Sequence, residues 1–142
     1  MEPITRFDGE FDFLSNFYPC RITFKGDGQT FPTAEHLFQA LKTPDPEQRE
    51  KIRLAKTPGQ AKRLGRKATL HRDWDQIKNH VMKEVLLIKF SIPELKEKLL
   101  ATGNAELVEE NSWRDFYWGV CDGRGENWLG RLLMEVRSKL SS

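Results

Sequence analysis

The sequence predicts an α+β fold that is mainly α-helical, with a small β element near the N-terminus. Apolar residues recur at helical spacing over most of the chain after residue 33, while strand-forming residues around a glycine turn occur early, in "CRITFKGDGQTF". The 142 residues are 38% hydrophobic and 31% charged, which is the composition of a globular protein. We therefore expect a single domain over residues 1–142.

The β element is predicted as two short strands, residues 21–25 and 30–31, on either side of the turn "GDG". Their β-branched and aromatic residues favour strands, and the glycines favour the turn. The preceding segment, "FLSNFYP", has no clear period and is predicted to be an ordered loop.

The first helices follow from their start signals. Thr33 is a suitable N-cap for a helix that ends before Pro44, and a short helix is expected in "PDPEQREKIRLA". Thr57 with Pro58 and Gln60 forms a capping box, so a third helix should begin there and end near the glycine of "RLGRK".

The later helices follow from apolar spacing. Residues 74–90 carry a broad apolar face and are predicted to form the buried central helix. A helix in residues 93–102 should be closed by Gly103, a short strand is expected in "AELVEE", and a last helix should span residues 127–140.

Bulk properties exclude several classes of protein. The net charge of +2 is too small to predict nucleic-acid binding from field strength alone, although "AKRLGRK" is locally basic. Two cysteines, Cys20 and Cys121, are too few for a disulfide framework, and no metal-ligand spacing is visible. No apolar run approaches the roughly 20 residues that span a bilayer, and "MEPITRFDGEFDF" does not resemble a signal peptide. A cytoplasmic protein is expected.

A polar stripe on the first helix, formed by Glu35, Gln39 and Lys42, is the first candidate site. At about 100° per residue it lies about 120° from the apolar face, so it borders the core rather than opposing it. Such a stripe is either a solvated helix face or one wall of a cleft. His36 falls on its far side and is expected to be exposed.

The segment "NSWRDFYWGVCDGRGENWLG" is the second candidate site. Asp115 lies between Trp113 and Trp118, where a carboxylate is either a hydrogen-bonded loop anchor or an active-site acid. The glycines that follow precede the last helix, whose first N–H groups could hold a phosphate. The alternative is a glycine-rich turn with aromatic packing, and no known nucleotide-binding glycine motif is present.

A basic cluster on the third helix is the remaining candidate. Lys62 and Arg66, like Arg63 and Lys67, are four residues apart and share a helix face. Either pair could clamp a phosphate, and the alternative is a solvated basic face.

Four segments together resemble the NADAR (YbiA-like) family, and the resemblance covers nearly the whole chain. They are "FDGEFDFLSNFYPCRITF", "FPTAEHLFQALK", "AKRLGRK" and "NSWRDFYWGVCDGRGENWLGRLLMEVR", in the order that the family shows. Each motif alone is weak, whereas four in order are specific. One departure is Arg114, which stands where the family commonly has glycine.

The resemblance implies an α+β, mainly helical domain with N-glycosidase chemistry at a ribose C1–N bond, and no cofactor. Two substrate classes are associated with the family. One comprises the phosphoribosylamino-pyrimidine intermediates of riboflavin synthesis, and the other is ADP-ribose attached to a base, notably guanine in nucleic acid. ADP-ribosylated DNA or RNA is therefore a candidate partner, and no membrane partner is expected.

Three residues are the catalytic candidates. Glu35 would stabilise positive charge on the ribose ring or act as the base for water. Lys42 would bind substrate oxygens or form a Schiff base with ring-opened C1, which requires an unprotonated amine. Asp115 would orient a ribose hydroxyl or serve as a second acid or base.

The substrate-binding candidates lie on the same motifs. The indole rings are expected to stack on the base, the basic pair to hold phosphate with the "GRGEN" turn, and the amide in "LSNFY" to contact ribose or base. The full set is Asn16, Phe17, Gln39, Lys62, Arg66, Trp113, Trp118, Gly119 and Asn127. Two alternatives stay open: a non-catalytic module that binds ADP-ribose or a nucleotide, and a helical protein-interaction domain.

Overall fold

A computed structural model describes all residues, 1–142, and the chain divides into two compact units. One unit comprises residues 16–89, and the other comprises residues 1–15 together with 90–142. The predicted fold class is confirmed, since helices dominate and the only sheet is a two-stranded one near the N-terminus.

The sheet of the 16–89 unit is an antiparallel hairpin of β1 (Pro19–Phe24) and β2 (Gln29–Thr33). Ile22 pairs with Phe31, and both side chains are buried. Gly28 in the connecting turn has φ 71°, a left-handed conformation that favours glycine. The hairpin was predicted at this place, and both strands differ slightly in extent from the prediction.

Four helices complete this unit: α1 (Ala34–Ala40), α2 (Pro46–Arg53), α3 (Pro58–Lys67) and α4 (Trp74–Lys89). A side chain caps the first turn of three of them, and two of these caps, Thr33 and Thr57, are the predicted ones. Thr33, Asp45 and Thr57 accept from the backbone N–H groups of His36, Glu47 and Gln60 respectively.

The most central helix is α1, not α4 as predicted. All seven residues of α1 are buried, and the helix contacts both strands and the other three helices. On α4, the buried residues are Trp74, Met82, Val85, Leu86 and Lys89, while much of its predicted apolar face is only half-buried. A short helix surrounded by five elements has no solvated face, so its polar residues must lie inside the unit.

The third helix ends at Lys67, two residues after Gly65, so its end is near the predicted place but Gly65 is not the residue that closes it. Gly65 is buried within α3 and lies against Gln39 of α1. The glycine therefore marks a close approach of two helices rather than a helix end.

The other unit contains a 3-10 helix (Gly9–Leu14) and the helices α5 (Pro93–Ala101) and α6 (Trp128–Leu140). Gly103, with φ 63°, follows α5 as predicted. The strand expected in "AELVEE" is wrong: the segment forms only isolated bridges, at Leu107 with Ile4 and at Glu110 with Val120. No helix in the structure is long and apolar enough to cross a membrane.

Candidate active site

The polar stripe of α1 is buried. Glu35 is 8% exposed and Gln39 is 3% exposed, which excludes a solvated face for these two side chains. The N–H of Glu35 donates to the carbonyl oxygen of Asn16 at 3.0 Å, and the Nε2 of Gln39 donates to Oε2 of Glu35. The first helix thus holds a carboxylate inside the unit in a defined position.

Lys42 follows α1 by two residues and is half-buried. Its Nζ lies 5.7 Å from the centre of the Phe38 ring, which packs against Trp74 with a centroid separation of 5.4 Å. The carbonyl oxygen of Lys42 accepts from the N–H of His71 at 2.8 Å, so the segment before α4 is tied to it. The Lys42 amine therefore lies beside the ring of Phe38, and that ring is packed in turn against Trp74.

The amine of Lys42 is electrostatically unusual. Burial lowers its pKa below the ordinary value of 10.5, and the nearby carboxylate of Glu35 acts in the opposite direction. Three further cations, Lys62, Arg66 and Lys78, lower the pKa as well. The buried carboxylate of Glu35 therefore interacts electrostatically with the amine of Lys42, whose charged form is destabilised by burial.

The basic residues near Lys42 come from two helices. Lys62, half-buried, and Arg66, exposed, lie on α3, and their role as a phosphate clamp stays a prediction. Lys78 on α4 was not predicted; its side chain is 23% exposed, and its Nζ lies 3.5 Å from Oδ1 of Asp75, which is 92% exposed. Lys78 lies four residues after Trp74 and therefore shares its face of α4. The sequence alone does not show that this face lies against α1, because that follows from the contact of Trp74 with Phe38.

Asn16 is a buried polar residue. Its Nδ2 donates to Sδ of Met82 at 3.4 Å, while Oδ1 is buried and has no hydrogen-bond partner. The neighbouring Phe17 is 43% exposed. The visible contribution of Asn16 is therefore its backbone oxygen, which binds the N–H of Glu35.

The expectation that His36 is exposed is wrong. The residue is 1% exposed, with Nε2 2.9 Å from the carbonyl oxygen of Ala55 and Nδ1 2.8 Å from Oγ1 of Thr33. Burial lowers its pKa, against a smaller effect of the Ala55 carbonyl. A neutral ring that donates from Nε2 and accepts at Nδ1 satisfies both contacts. His36 is therefore a structural link between α1 and the segment before α3.

In the other unit, Asp115 anchors the aromatic loop. Its Oδ1 accepts from the N–H groups of Tyr117 at 3.0 Å and Trp118 at 2.9 Å. Of the two predicted alternatives, the structure shows the hydrogen-bonded anchor, and an additional role as an acid remains a proposal. Trp118 packs edge-on against Tyr117 with centroids 4.9 Å apart, whereas Trp113 is 58% exposed.

Asn111 organises the same loop and was missed by the sequence analysis. Its Oδ1 accepts from the N–H groups of Trp113 and Asp115, and its Nδ2 donates to the Asp115 carbonyl and to Oε2 of Glu109. Asparagine commonly bonds the backbone of nearby residues, so its position two residues before Trp113 was a usable signal.

Gly119 and Asn127 also have structural roles here. A Cβ at Gly119 would overlap Oε2 and the carbonyl oxygen of Glu109, so only glycine fits. The amide of Asn127 accepts from the N–H of Glu109 at 2.9 Å and donates to the carbonyl of Leu107 at 3.0 Å. Both ends of that amide are used within the protein, and substrate binding by either residue stays a prediction.

Of the two alternatives for the segment before α6, the first two backbone donors of the helix favour the glycine-rich turn over a phosphate site. The N–H groups of Trp128 and Leu129 donate to the carbonyl oxygens of Tyr117 and Trp118 at 3.0 and 2.9 Å. The loop itself thus occupies the donors that an anion would need. The predicted site residues therefore form two groups. The 16–89 unit holds Asn16, Phe17, Glu35, Gln39, Lys42, Lys62 and Arg66, and the other unit holds Trp113, Asp115, Trp118, Gly119 and Asn127.

Comparison with known proteins gives consistent results. The chain is 45% identical over 132 residues to "N-glycosidase YbiA" of Escherichia coli (strain K12), covering 90% of this chain and 81% of that protein. It is 42% identical over 137 residues to "Riboflavin biosynthesis protein VVA0006" of Vibrio vulnificus, covering 94% of this chain and 36% of that protein. The NMR structure of E. coli YbiA superposes with a TM-score of 0.85 at 42% identity, covering 99% of this chain and 87% of that one.

The relatives named N-glycosidase are, by that name, hydrolases acting on N-glycosyl bonds, which confirms the predicted class of enzyme. The NADAR domain model matches residues 5–141, nearly the whole chain. This chain belongs to the NADAR domain family.

Proposed function

We propose that the chain hydrolyses the bond between ribose C1 and nitrogen in a substrate that carries phosphate on the 5′ side of the ribose. The observation that carries the proposal is the buried carboxylate of Glu35 beside Lys42, an amine whose pKa is lowered. A carboxylate and an amine whose pKa is lowered, at one place, are groups that this reaction can use. The names of the YbiA relatives support the reaction class.

Glu35 stabilises the transition state. As the C1–N bond breaks, the electron pair stays with nitrogen and positive charge grows on the ribose ring, which the carboxylate offsets. Water then attacks C1 and gives a proton to Glu35. The leaving nitrogen takes a proton from solvent and Glu35 returns its proton to solvent, which restores the carboxylate. The hydrogen bond from Gln39 holds the carboxylate in position during these steps.

Lys42 offers a covalent route to the same products. In a ribosylamine, ring opening exposes C1 as an imine, to which the neutral amine of Lys42 adds; the original amine then leaves and a Schiff base forms. Water hydrolyses the Schiff base and restores the free amine. Burial of Lys42 and the neighbouring cations support this route, because both raise the neutral fraction of the amine.

The cations around Lys42 are proposed to hold the phosphate. Lys62 and Arg66 lie on α3 and Lys78 lies on α4, so two helices contribute positive charge near Lys42. Arginine offers paired donors and lysine a point charge, both suited to phosphate. The roles of Trp113 in stacking on a base and of Asp115 in contacting a ribose hydroxyl stay predictions from the sequence.

Two substrates fit this chemistry. A phosphoribosylamino-pyrimidine is supported by the riboflavin-biosynthesis name of the Vibrio relative. ADP-ribose on guanine presents the same C1–N bond and a phosphate on the same side. We propose a cytoplasmic protein, in keeping with its two free cysteines.

Product analysis tests the proposal. The wild type and the Glu35→Gln, Lys42→Arg and Lys51→Gln variants are incubated with each substrate, and released sugar phosphate and base are detected by mass spectrometry. Lys51 is an exposed residue of α2 and serves as the control. Release from one substrate, lost in the first two variants and kept in Lys51→Gln, supports the proposal. Absence of release from both substrates, with a ligand-dependent rise in Tm, would instead identify a binding module.

A further inference from the structure

Gly65 occupies an unusual place for glycine. It lies inside α3, two residues before the end of the helix, and is buried. Glycine lowers helix propensity relative to alanine, so a glycine at an interior helical position calls for a reason in the packing. The helix is not broken or turned there, which excludes a need for left-handed backbone.

The reason is the side chain of Gln39. A Cβ at position 65 would overlap Oε1 of Gln39 and would lie 2.8 Å from its Cδ and 3.2 Å from its Cβ. Alanine could enter only if the Gln39 amide moved. Gln39 as a whole is only 3% exposed, so its amide has little room to move without changing its contacts.

The two ends of the Gln39 amide connect Gly65 with Glu35. Oε1 rests against Gly65 and has no hydrogen-bond partner, so no bond on that side fixes the amide. Nε2 donates to Oε2 of Glu35. Because the amide group is rigid and planar, a shift of Oε1 away from α3 also shifts or turns Nε2 at the carboxylate.

We propose that Gly65 is a positioning residue that acts through Gln39: the missing side chain leaves the space in which the amide fixes the carboxylate of Glu35. The proposal rests on the proposed function in one respect, the use of Glu35 in the reaction. It adds a residue outside the predicted site, on a different helix from the carboxylate that it positions.

The Gly65→Ala variant tests the proposal, with Gly59→Ala as a matched control on the same helix. A Cβ at Gly59 would meet only Oγ1 of Thr57, at 3.9 Å. We expect Gly65→Ala to lower kcat about 10- to 100-fold with KM nearly unchanged, as a displaced catalytic group does. Gly59→Ala should behave as the wild type. Equal kcat values for the two alanine variants would overturn the proposal.

A double variant separates positioning from general damage to the fold. In Gln39→Ala the two atoms nearest to position 65, Oε1 and Cδ, are gone and only the 3.2 Å approach to Cβ remains. Adding Gly65→Ala should therefore cause no further loss of kcat. A further loss in the double variant would contradict action through Gln39. If Gly65→Ala alone does not fold, the double variant should fold, and its kcat is compared with that of Gln39→Ala.

An NMR measurement keeps this test independent of activity. The side-chain amide resonance of Gln39 should shift in Gly65→Ala and in Glu35→Ala, and should stay unchanged in Gly59→Ala. If the wild type cleaves neither substrate, the proposed function fails, and these spectra still report whether Gly65 positions Gln39 at Glu35. An unshifted resonance in Gly65→Ala would overturn the inference whether or not the enzyme is active.

Discussion

Lys42 places its Nζ 5.7 Å from the centre of the Phe38 ring, four residues earlier in the chain. Phe38 is buried and packs on Trp74, the first residue of α4. One helical turn further along α4 lies Lys78, a cation that lowers the pKa of Lys42. The packing of Phe38 on Trp74 therefore holds α4 against α1, and Lys78 on α4 lowers the pKa of Lys42.

The Lys78→Gln variant should have a lower kcat than the wild type at neutral pH. Removing this cation raises the pKa of Lys42, because one of the charges that lowers it is gone. If neutral Lys42 is the reactive form, the acidic limb of the kcat–pH profile moves to higher pH. The rate at pH 7 should fall roughly 2- to 10-fold, since one nearby charge is worth on the order of 1 kcal/mol. Lys83→Gln on the same helix is the control, and an unmoved acidic limb would exclude this influence.

Lys42 should be captured covalently if the Schiff-base route operates. Cyanoborohydride reduces an imine to a stable secondary amine, so substrate and reductant together should leave a sugar phosphate on Lys42 and stop turnover. Peptide mass spectrometry locates the adduct. Lys62, which also lies near Lys42, should remain unmodified, and the Lys42→Arg variant should carry no adduct. An active enzyme that never forms the adduct uses water and Glu35 instead.

Much of the α1 site follows from the sequence, because helical periodicity is local. The spacing of Glu35, Gln39 and Lys42 places them beside the apolar face, and the burial of Glu35 and Gln39 excludes the solvated face, one of the two alternatives that the sequence leaves open. The caps at Thr33 and Thr57 likewise depend only on nearby residues. These predictions hold because each uses interactions within a few residues.

The missed features depend on tertiary contacts. His36 is buried because Ala55, 19 residues away, offers a carbonyl oxygen, and no local pattern reveals that contact. Gly65 near a helix end resembles a C-cap until the approach of Gln39 is known. The start of α6 resembles an anion site until the carbonyl oxygens of Tyr117 and Trp118 are seen to occupy its donors.

His36 should make the free energy of unfolding depend on pH. Its pKa in the folded protein lies below the ordinary value of 6.5, so between these values the unfolded chain binds a proton that the folded chain does not. The free energy of unfolding should therefore decrease as the pH falls below about 6.5 toward the lowered pKa. Urea denaturation from pH 8 to pH 5 measures this dependence.

His36→Gln is the matched variant for this test, because its amide cannot take up a proton in that range. The variant should be less stable at pH 8 by about 1–3 kcal/mol, the usual cost of losing buried hydrogen bonds. It should also lose the part of the pH dependence that His36 causes. A wild type and a variant with parallel stability–pH curves would show that His36 is not the source.

Arg114→Gly should stabilise the protein. Arg114 has φ 65°, a left-handed conformation that costs a residue with a Cβ about 1–2 kcal/mol, which explains why the family commonly has glycine there. The guanidinium lies 5.4 Å from the Phe116 ring, but Arg124 lies over the same ring at 5.7 Å and remains. We expect a gain of about 0.5–1 kcal/mol in thermal or urea denaturation. Arg114→Ala keeps the strain, so a gain as large as that of the glycine variant would exclude the backbone explanation.

Asp115 can be separated into its structural and chemical roles by two substitutions. Asp115→Asn keeps an oxygen that accepts from the N–H groups of Tyr117 and Trp118, and removes only the charge. Asp115→Ala leaves both donors unpaired and should lower the free energy of unfolding by about 1–3 kcal/mol.

If Asp115 is only an anchor, the asparagine variant should retain kcat within about twofold and nearly the wild-type Tm. If Asp115 also transfers a proton or orients a ribose hydroxyl as an anion, the asparagine variant should keep its Tm and lose kcat about 100-fold or more. A large loss of Tm in Asp115→Asn would contradict an anchor that acts through a neutral acceptor alone, because it would mean that the charge itself holds the loop.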